Sequence, residues 1–148
     1  MESSKIWYGD PTPQSIAWMD ANTLSESLGI RVTEIGDDHI KGTMPVDGRT
    51  KQPFGLLHGG ASVALAETLG SIASFLMVNP EVFIGVGTEI NANHIKAVTG
   101  GTVTGICKPL HVKGMHHIWE IRIFNEANEL CCISRFTCSI VARKKVMG

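Results

Sequence analysis

Between Gln52 and Pro80 the sequence is nearly devoid of charge: Glu67 is the one Asp, Glu, Lys or Arg in the stretch. A basic or acidic excess is missing as well. The 148 residues carry a formal net charge of -1, with acids and bases interspersed, which gives no support to nucleic acid or a membrane surface as partner. No C-x-x-C pair occurs among Cys107, Cys131, Cys132 and Cys138, and two of these are adjacent, so they read as reduced, packed thiols without disulfide or zinc. The opening residues, MESSKIWYGDPTP, have neither the basic start nor the long apolar run of a signal peptide, and the expected location is the cytoplasm. Repeats, low-complexity tracts and linkers are also absent. Residues 1–148 are therefore expected to form one domain, with 43% hydrophobic residues to build its core.

The uncharged stretch is long enough to cross a membrane. Against that stand Glu67 near its centre, Pro53 and the glycines at 55, 59, 60 and 70. A span there would also strip the strand-rich remainder of its core. A buried helix entered through a Gly-rich turn fits better. Leu65, Leu69, Ile72 and Leu76 recur at spacings of four, three and four, one helical face. Glu67, Ser71 and Ser74 fall nearly opposite, among small residues such as Gly60, Val63 and Ala64. A surface helix would carry several charges there, so both faces are expected to be covered. A carboxylate in such surroundings is costly unless something pairs with it or uses it.

Around this helix the pattern is mostly strand. Residues 1–27 form an N-terminal extension in which Thr12 to Leu24 reads as a short helix, with Thr12 as cap, Pro13 in the first turn, and Ile16, Met19 and Leu24 on one face. Ile30 to Ile35 and Ile40 to Val46 alternate as strands about a Gly36-Asp37-Asp38 turn. After Pro80, four segments read as strands: VFIGVGTEINANHI, GTVTGICKPLHV, MHHIWEIRIF and LCCISRFTCSIVA. Short turns between long strands favour antiparallel pairing. The expected class is α+β, one long helix against an antiparallel sheet. His116 and His117 alternate across a strand, cannot face one metal, and are expected at solvent or an interface.

The run QPFGLLHGGASVALAETLGS, with GTEINANH, PLH, WEI and CCISR further on, closely resembles the hotdog-fold acyl-CoA thioesterases, in the branch acting on aromatic acyl-CoAs. The likeness extends from about Leu28 to Ala142 and is strongest to the dihydroxynaphthoyl-CoA thioesterases of menaquinone synthesis, whose siblings include a proofreading thioesterase of siderophore synthesis. The resemblance implies a long central helix wrapped by an antiparallel sheet, an acyl-CoA substrate and no cofactor, CoA being part of the substrate. It also implies a homo-oligomer, a dimer of dimers with shared sites. On this resemblance Glu67 is the catalytic carboxylate, Gly59 supplies the N–H that binds the thioester oxygen, and Gln52 holds the carbonyl or the water. His58 lies beside the thioester, and Ser71 assists the carboxylate. Gln52, His58 and Gly59 would come from one subunit, Glu67 and Ser71 from the other. CoA contacts map onto Gly87, His94, Ile95 and Lys96, and onto His111, Val112 and Lys113. Where relatives read H-H-R-P this chain has His94-Ile95-Lys96-Ala97, so Lys96 keeps the charge without the bidentate fork of Arg.

The chemistry is reasonable apart from the resemblance. A helix N-terminus carries free N–H groups and partial positive charge, and Gly59 and Gly60 leave it open to a thioester oxygen. Glu67 has two routes, activating water as general base or attacking the thioester to form a mixed anhydride. No metal site and no Ser or Cys nucleophile elbow is present in the pattern. Each residue also has a structural reading: Glu67 as a hydrogen-bonded acid, His58 as a cap, Gln52 as a loop residue, Ser71 as bonded to a helix carbonyl. The competing functions are a hotdog hydratase or dehydratase and a non-catalytic acyl-CoA-binding module. Phe54, Val63, Phe75 and Met77 are expected to shape the acyl pocket.

Overall fold

The computed structural model describes residues 4–146. Thr12 caps the first helix, α1 (Pro13–Ile16): its hydroxyl accepts from the Ser15 N–H, and the Ser15 hydroxyl accepts from the Thr12 N–H. The single helix expected to run to Leu24 does not form. Instead α1 tightens into a 3₁₀ turn at Ala17–Met19, and a second helix, α2, runs Leu24–Leu28. Asn22 sits in the left-handed region at φ 59°, and its N–H donates to the Glu26 carboxylate at 2.7 Å. Glu26, the third residue of α2, thereby reaches back to the chain ahead of its N-cap, which marks a new helix start and not a continuation of α1. Gly29, at φ 72°, closes α2 where a side chain would be strained.

Among the described residues six antiparallel strands follow the expected segments closely: β1 (Arg31–Ile35), β2 (Ile40–Pro45), β3 (Phe83–His94), β4 (Thr102–His111), β5 (His116–Phe124) and β6 (Leu130–Ala142). Their order across the sheet is β1-β2-β4-β5-β6-β3. The strand that leaves the long helix therefore returns to the far edge, beside β6, and leaves one side of β3 unpaired. The long helix, α3 (Gly59–Leu76), lies against one face of the sheet. Leu65 and Leu69 are fully buried there, Ile72 and Leu76 nearly so. Gly42 and Gly105 allow the close approach: a Cβ on either would stand 2.6 or 2.7 Å from a Leu69 methyl. Trp119, Ile121 and Ile123 of β5 and Phe136 and Cys138 of β6 complete the contact. By length and composition α3 would suit a membrane span, but its apolar stripe is spent on this sheet.

All four cysteines are free and buried, as expected. Burial pushes the Cys132 thiol up to about 11 and Cys107 further, so neither is a thiolate near neutrality.

His117 departs from expectation. It is 2% exposed, because the alternation that sends Trp119 and Ile121 toward the helix sends His117 there too. Ser74, fully buried on α3, makes this tolerable: its hydroxyl lies 3.2 Å from His117 Nδ1 and accepts from Trp119 Nε1 at 2.8 Å. Burial, then the nearby His111, holds the His117 pKa below its ordinary 6.5. The sign follows from which state binds the proton. Below about pH 6.5 the unfolded chain protonates His117 while the folded chain resists, so stability falls as pH drops through that value. The urea midpoint is expected to fall between pH 7.5 and 5.5, and the fall is expected to be smaller in His117→Asn. Equal falls in the two proteins would remove His117 from the acid response.

Candidate active site

Helix α3 presents two different chemical environments, one at each end of its exposed face. At the N-terminus His58 is the cap, its Nδ1 accepting from the Gly60 N–H at 2.8 Å. Among the described residues the Gly59 N–H has no protein acceptor, as the first turn of a helix leaves it. The His94 ring, at the end of β3, stands over Gly59: a Cβ there would lie 2.8 Å from His94 Nε2. Gln52 borders the same cavity of about 330 Å³, together with Ile95 and Lys96. The Gln52 side-chain oxygen accepts from the Phe54 N–H, which pins the turn through Gly55 and leaves the side-chain NH₂ as the free donor. The structure thus gathers Gln52, His58, Gly59, His94, Ile95 and Lys96 at one place. Lys96 is not a free cation: its ammonium lies 3.0 Å from Glu129. The Glu129 carboxyl is held below its usual range by hydrogen bonds from Asn125 first and Lys96 second. Both partners are about half exposed, so the pair is weak and can yield to a phosphate.

Glu67 lies two turns further along. Eight residues of α-helix separate it from Gly59, a rise of about 12 Å. It opens on a second cavity of about 380 Å³, lined from α3 by Ala64, Thr68, Ser71, Ile72 and Phe75. The second face of α3 is thus not uniformly covered: Ser74 is buried, but Glu67 is exposed within the single chain. No ion pair among the described residues includes Glu67. The carboxylate that looked costly to bury is therefore not buried by its own chain, and it is not spent on a structural partner.

Gly87 of β3, expected at CoA, stands beside this carboxylate. A Cβ on Gly87 would lie 2.9 Å from Glu67 Oε1 and 2.9 Å from the Phe136 ring. Gly87→Ala is expected to displace the carboxylate and lower kcat on the order of 10²-fold, the scale of a misplaced catalytic group. Steady-state kinetics check this; a raised KM with unchanged kcat would mean that Gly87 serves binding alone.

His111, Val112 and Lys113 lie elsewhere. His111 pairs with Ile118, a row level with Thr137 and Glu89, whereas His94 is level with Cys132, Ile123 and Gly105. Val112 packs against the core, and His111 and Lys113 are exposed. Within one chain the two sets of expected CoA contacts are not brought together. Of the expected pocket residues, Phe75 lines the Glu67 cavity, Phe54 is 88% exposed, and Val63 and Met77 are outside the lining. Not foreseen from the sequence are Met19, Thr23, Leu24, Ser25, Ile84 and Gly85, which form the cavity's other walls. Their alternation and spacing mark them only as half-buried positions, and no local signal distinguishes a cavity wall from core.

A sequence model of the thioesterase superfamily matches residues 54–132. A 1,4-dihydroxy-2-naphthoyl-CoA hydrolase of Escherichia coli is 50% identical over 136 residues, 92% of this chain and 99% of that protein. The proofreading thioesterase EntH of Cronobacter turicensis is 48% identical over 136 residues, 92% of this chain and 98% of that protein. A thioesterase of Haemophilus influenzae superposes with a TM-score of 0.89 at 43% identity, covering 93% of this chain and 95% of the other. A glutamine-to-alanine mutant of a Pseudomonas aeruginosa thioesterase superposes at 0.90 with 40% identity, covering 93% and 99%.

Proposed function

The chain belongs to the thioesterase superfamily, with the hotdog arrangement of one helix against an antiparallel sheet, and from that premise we propose that it hydrolyses an aromatic acyl-CoA at sites shared between two subunits. The observation that carries the shared site is the rise of about 12 Å along the helix between the Gly59 N–H and Glu67. A thioester carbonyl must lie about 3 Å from both its oxyanion donor and the attacking or activating group. The Glu67 side chain does not close the gap: its Oε1 stands beside Gly87, whereas Gly59 stands beside His94, seven residues further along β3. A second copy, placed with its helix face against this one, brings the Gly59 end of one α3 to the Glu67 of the other. The unpaired edge of β3, with Val86, Gly87, Thr88 and Glu89 exposed beside Glu67, supports this, because an open strand edge invites a partner strand.

In the proposed step the thioester oxygen accepts from the Gly59 N–H at the positive end of the helix, and the Gln52 amide adds a second donor. Glu67 of the other subunit either takes a proton from water as that water adds to the carbonyl carbon, or adds to the carbon itself to form an anhydride that water then opens. The C–S bond breaks in either route, and CoA leaves as thiolate and is protonated. Ser71, one turn beyond Glu67 on the same cavity, holds the carboxylate or its water. His58 organises the helix end through its bond to Gly60. His94, Ile95 and Lys96 receive the pantetheine and phosphates, with His111, Val112 and Lys113 placed to contribute only from another subunit. The route needs no metal and no cofactor besides CoA itself.

For the acyl group, dihydroxynaphthoyl is the first choice, supported by the extent of identity to the E. coli hydrolase; a cytoplasmic role in menaquinone synthesis and a dimer of dimers go with it. Thiol release from dihydroxynaphthoyl-, benzoyl-, phenylacetyl- and long aliphatic CoAs tests the proposal. Highest kcat/KM is expected for the two-ring ester. A preference for aliphatic chains would overturn the aromatic assignment, and hydration of an added 2-enoyl-CoA without thiol release would indicate a hydratase.

A further inference from the structure

Resting on the thioesterase reading, we propose that Met19 and Leu24, in the segment ahead of the matched family region, are specificity-determining residues that set how far an aromatic acyl group extends from Glu67. The Glu67 cavity has three walls. Helix α3 provides one, Ile84 and Gly85 of the edge strand a second, and Met19, Thr23, Leu24 and Ser25 the third. At about 380 Å³ it lies at the low end of the 300–1,000 Å³ range of small-molecule sites, enough for an acyl group and too small for a whole acyl-CoA. Its lining is predominantly apolar, with a few hydroxyls and the one carboxylate, so its occupant is an uncharged, flat or compact hydrophobic group attached to a reactive carbonyl.

The third wall is firmly held at its ends and open in its middle. Ile16, Ser25 and Ile30 are buried, and the Ile30 N–H donates to the Ser25 carbonyl at 2.8 Å. Trp7 stacks on Trp119 at 6.3 Å, and the Tyr8 N–H donates to the Leu76 carbonyl at 2.7 Å, tying the preceding residues to the core. Between these anchors Leu24 is 61% exposed and Trp18 is 67% exposed, with the Trp18 ring edge on Phe75. Leu24 lines the cavity yet stays uncovered by its own fold, and so is available to a ligand. Because Leu24 lies exposed between these anchors, it can change size without disturbing the sheet. The turn at Asn22, which breaks the expected single helix, is what swings Leu24 toward this cavity instead of leaving it on one face with Ile16.

The test compares Leu24→Trp, Leu24→Ala and Met19→Ala with the wild type on naphthoyl-CoA and benzoyl-CoA by thiol release, with Glu67→Gln as background. Filling the cavity is expected to lower the two-ring to one-ring ratio of kcat/KM by at least about tenfold, the scale on which small changes in pocket size discriminate. Either alanine variant is expected to raise the ratio. Trimming the exposed Leu24 leaves the fold intact, so Leu24→Ala reports even where the tryptophan does not fold, while Met19→Ala, at a half-buried position against the core, is read beside its thermal midpoint. Ratios within twofold of wild type in the alanine variants, with Glu67-dependent activity preserved, would overturn the inference alone. Activity that persists in Glu67→Gln would instead overturn the thioesterase site on which it rests.

Discussion

Replacing Glu67 with glutamine is expected to lower kcat/KM for an aromatic acyl-CoA by about 10²–10⁴-fold, the range of a positioned general acid or base, while ligand binding and thermal stability stay near wild type. Two features of the structure separate these outcomes. Glu67 has no ion-pair partner among the described residues, so removing its charge leaves no buried group uncompensated. It also stands exposed on one chain, so a near-isosteric amide neither opens a cavity nor crowds a neighbour. Thiol-release assays, with calorimetric binding of a non-hydrolysable analogue, give both readings. Retained turnover would place the chemistry elsewhere. Unchanged binding with no turnover even in the wild type would favour the acyl-CoA-binding module. A single turnover in H₂¹⁸O then tests for an anhydride opened at the glutamyl carbon. Direct attack of water puts ¹⁸O into the product acid in the first turnover. An anhydride opened at the glutamyl carbon delivers an unlabelled Glu67 oxygen to the product instead.

The periodic elements are legible in the hydrophobic pattern itself. The stripe Leu65, Leu69, Ile72 and Leu76 is buried as a helical face, and the four C-terminal strands lie within a few residues of their hydrophobic alternation. Most of the departures depend on neighbours that the sequence does not place nearby. His117 alternates with Trp119, but only the arrival of Ser74 from a helix 43 residues away makes a buried imidazole acceptable. The N-terminal helix breaks at Asn22 because of a bond to Glu26 that residue spacing does not reveal. Gly87 carries no side chain to suggest a role, and its meaning comes from the carboxylate and ring packed against it. Lys96 looks like any exposed cation until Glu129 is beside it. The motif from Gln52 to Ser71 points to the candidate site residues, and although it is continuous in sequence the fold divides its two ends between different cavities.

That division gives the second large prediction. Glu67→Ala and Gln52→Ala homo-oligomers are each expected to be nearly inactive, the first through loss of the carboxylate and the second by about 10²–10³-fold through loss of a donor to the thioester oxygen. When the two chains are co-expressed and pair at random across a two-fold interface, half of the dimers are mixed. In a mixed dimer one site collects both substitutions and the other collects neither. Activity is therefore expected to return to about one quarter of wild type, far above either parent. Chains carrying different affinity tags allow the mixed species to be isolated, where about half of wild-type activity is expected by the same count. Sites complete within one chain would behave differently: every site would retain one substitution, and mixing would give only the mean of two inactive parents. Since about 12 Å of helix lies between Gly59 and Glu67, that second outcome would also mean that the thioester oxygen is held by something other than the Gly59 N–H. The oxyanion donor would then have to be sought beside Glu67 itself, among the Thr68 and Ser71 hydroxyls that share its cavity.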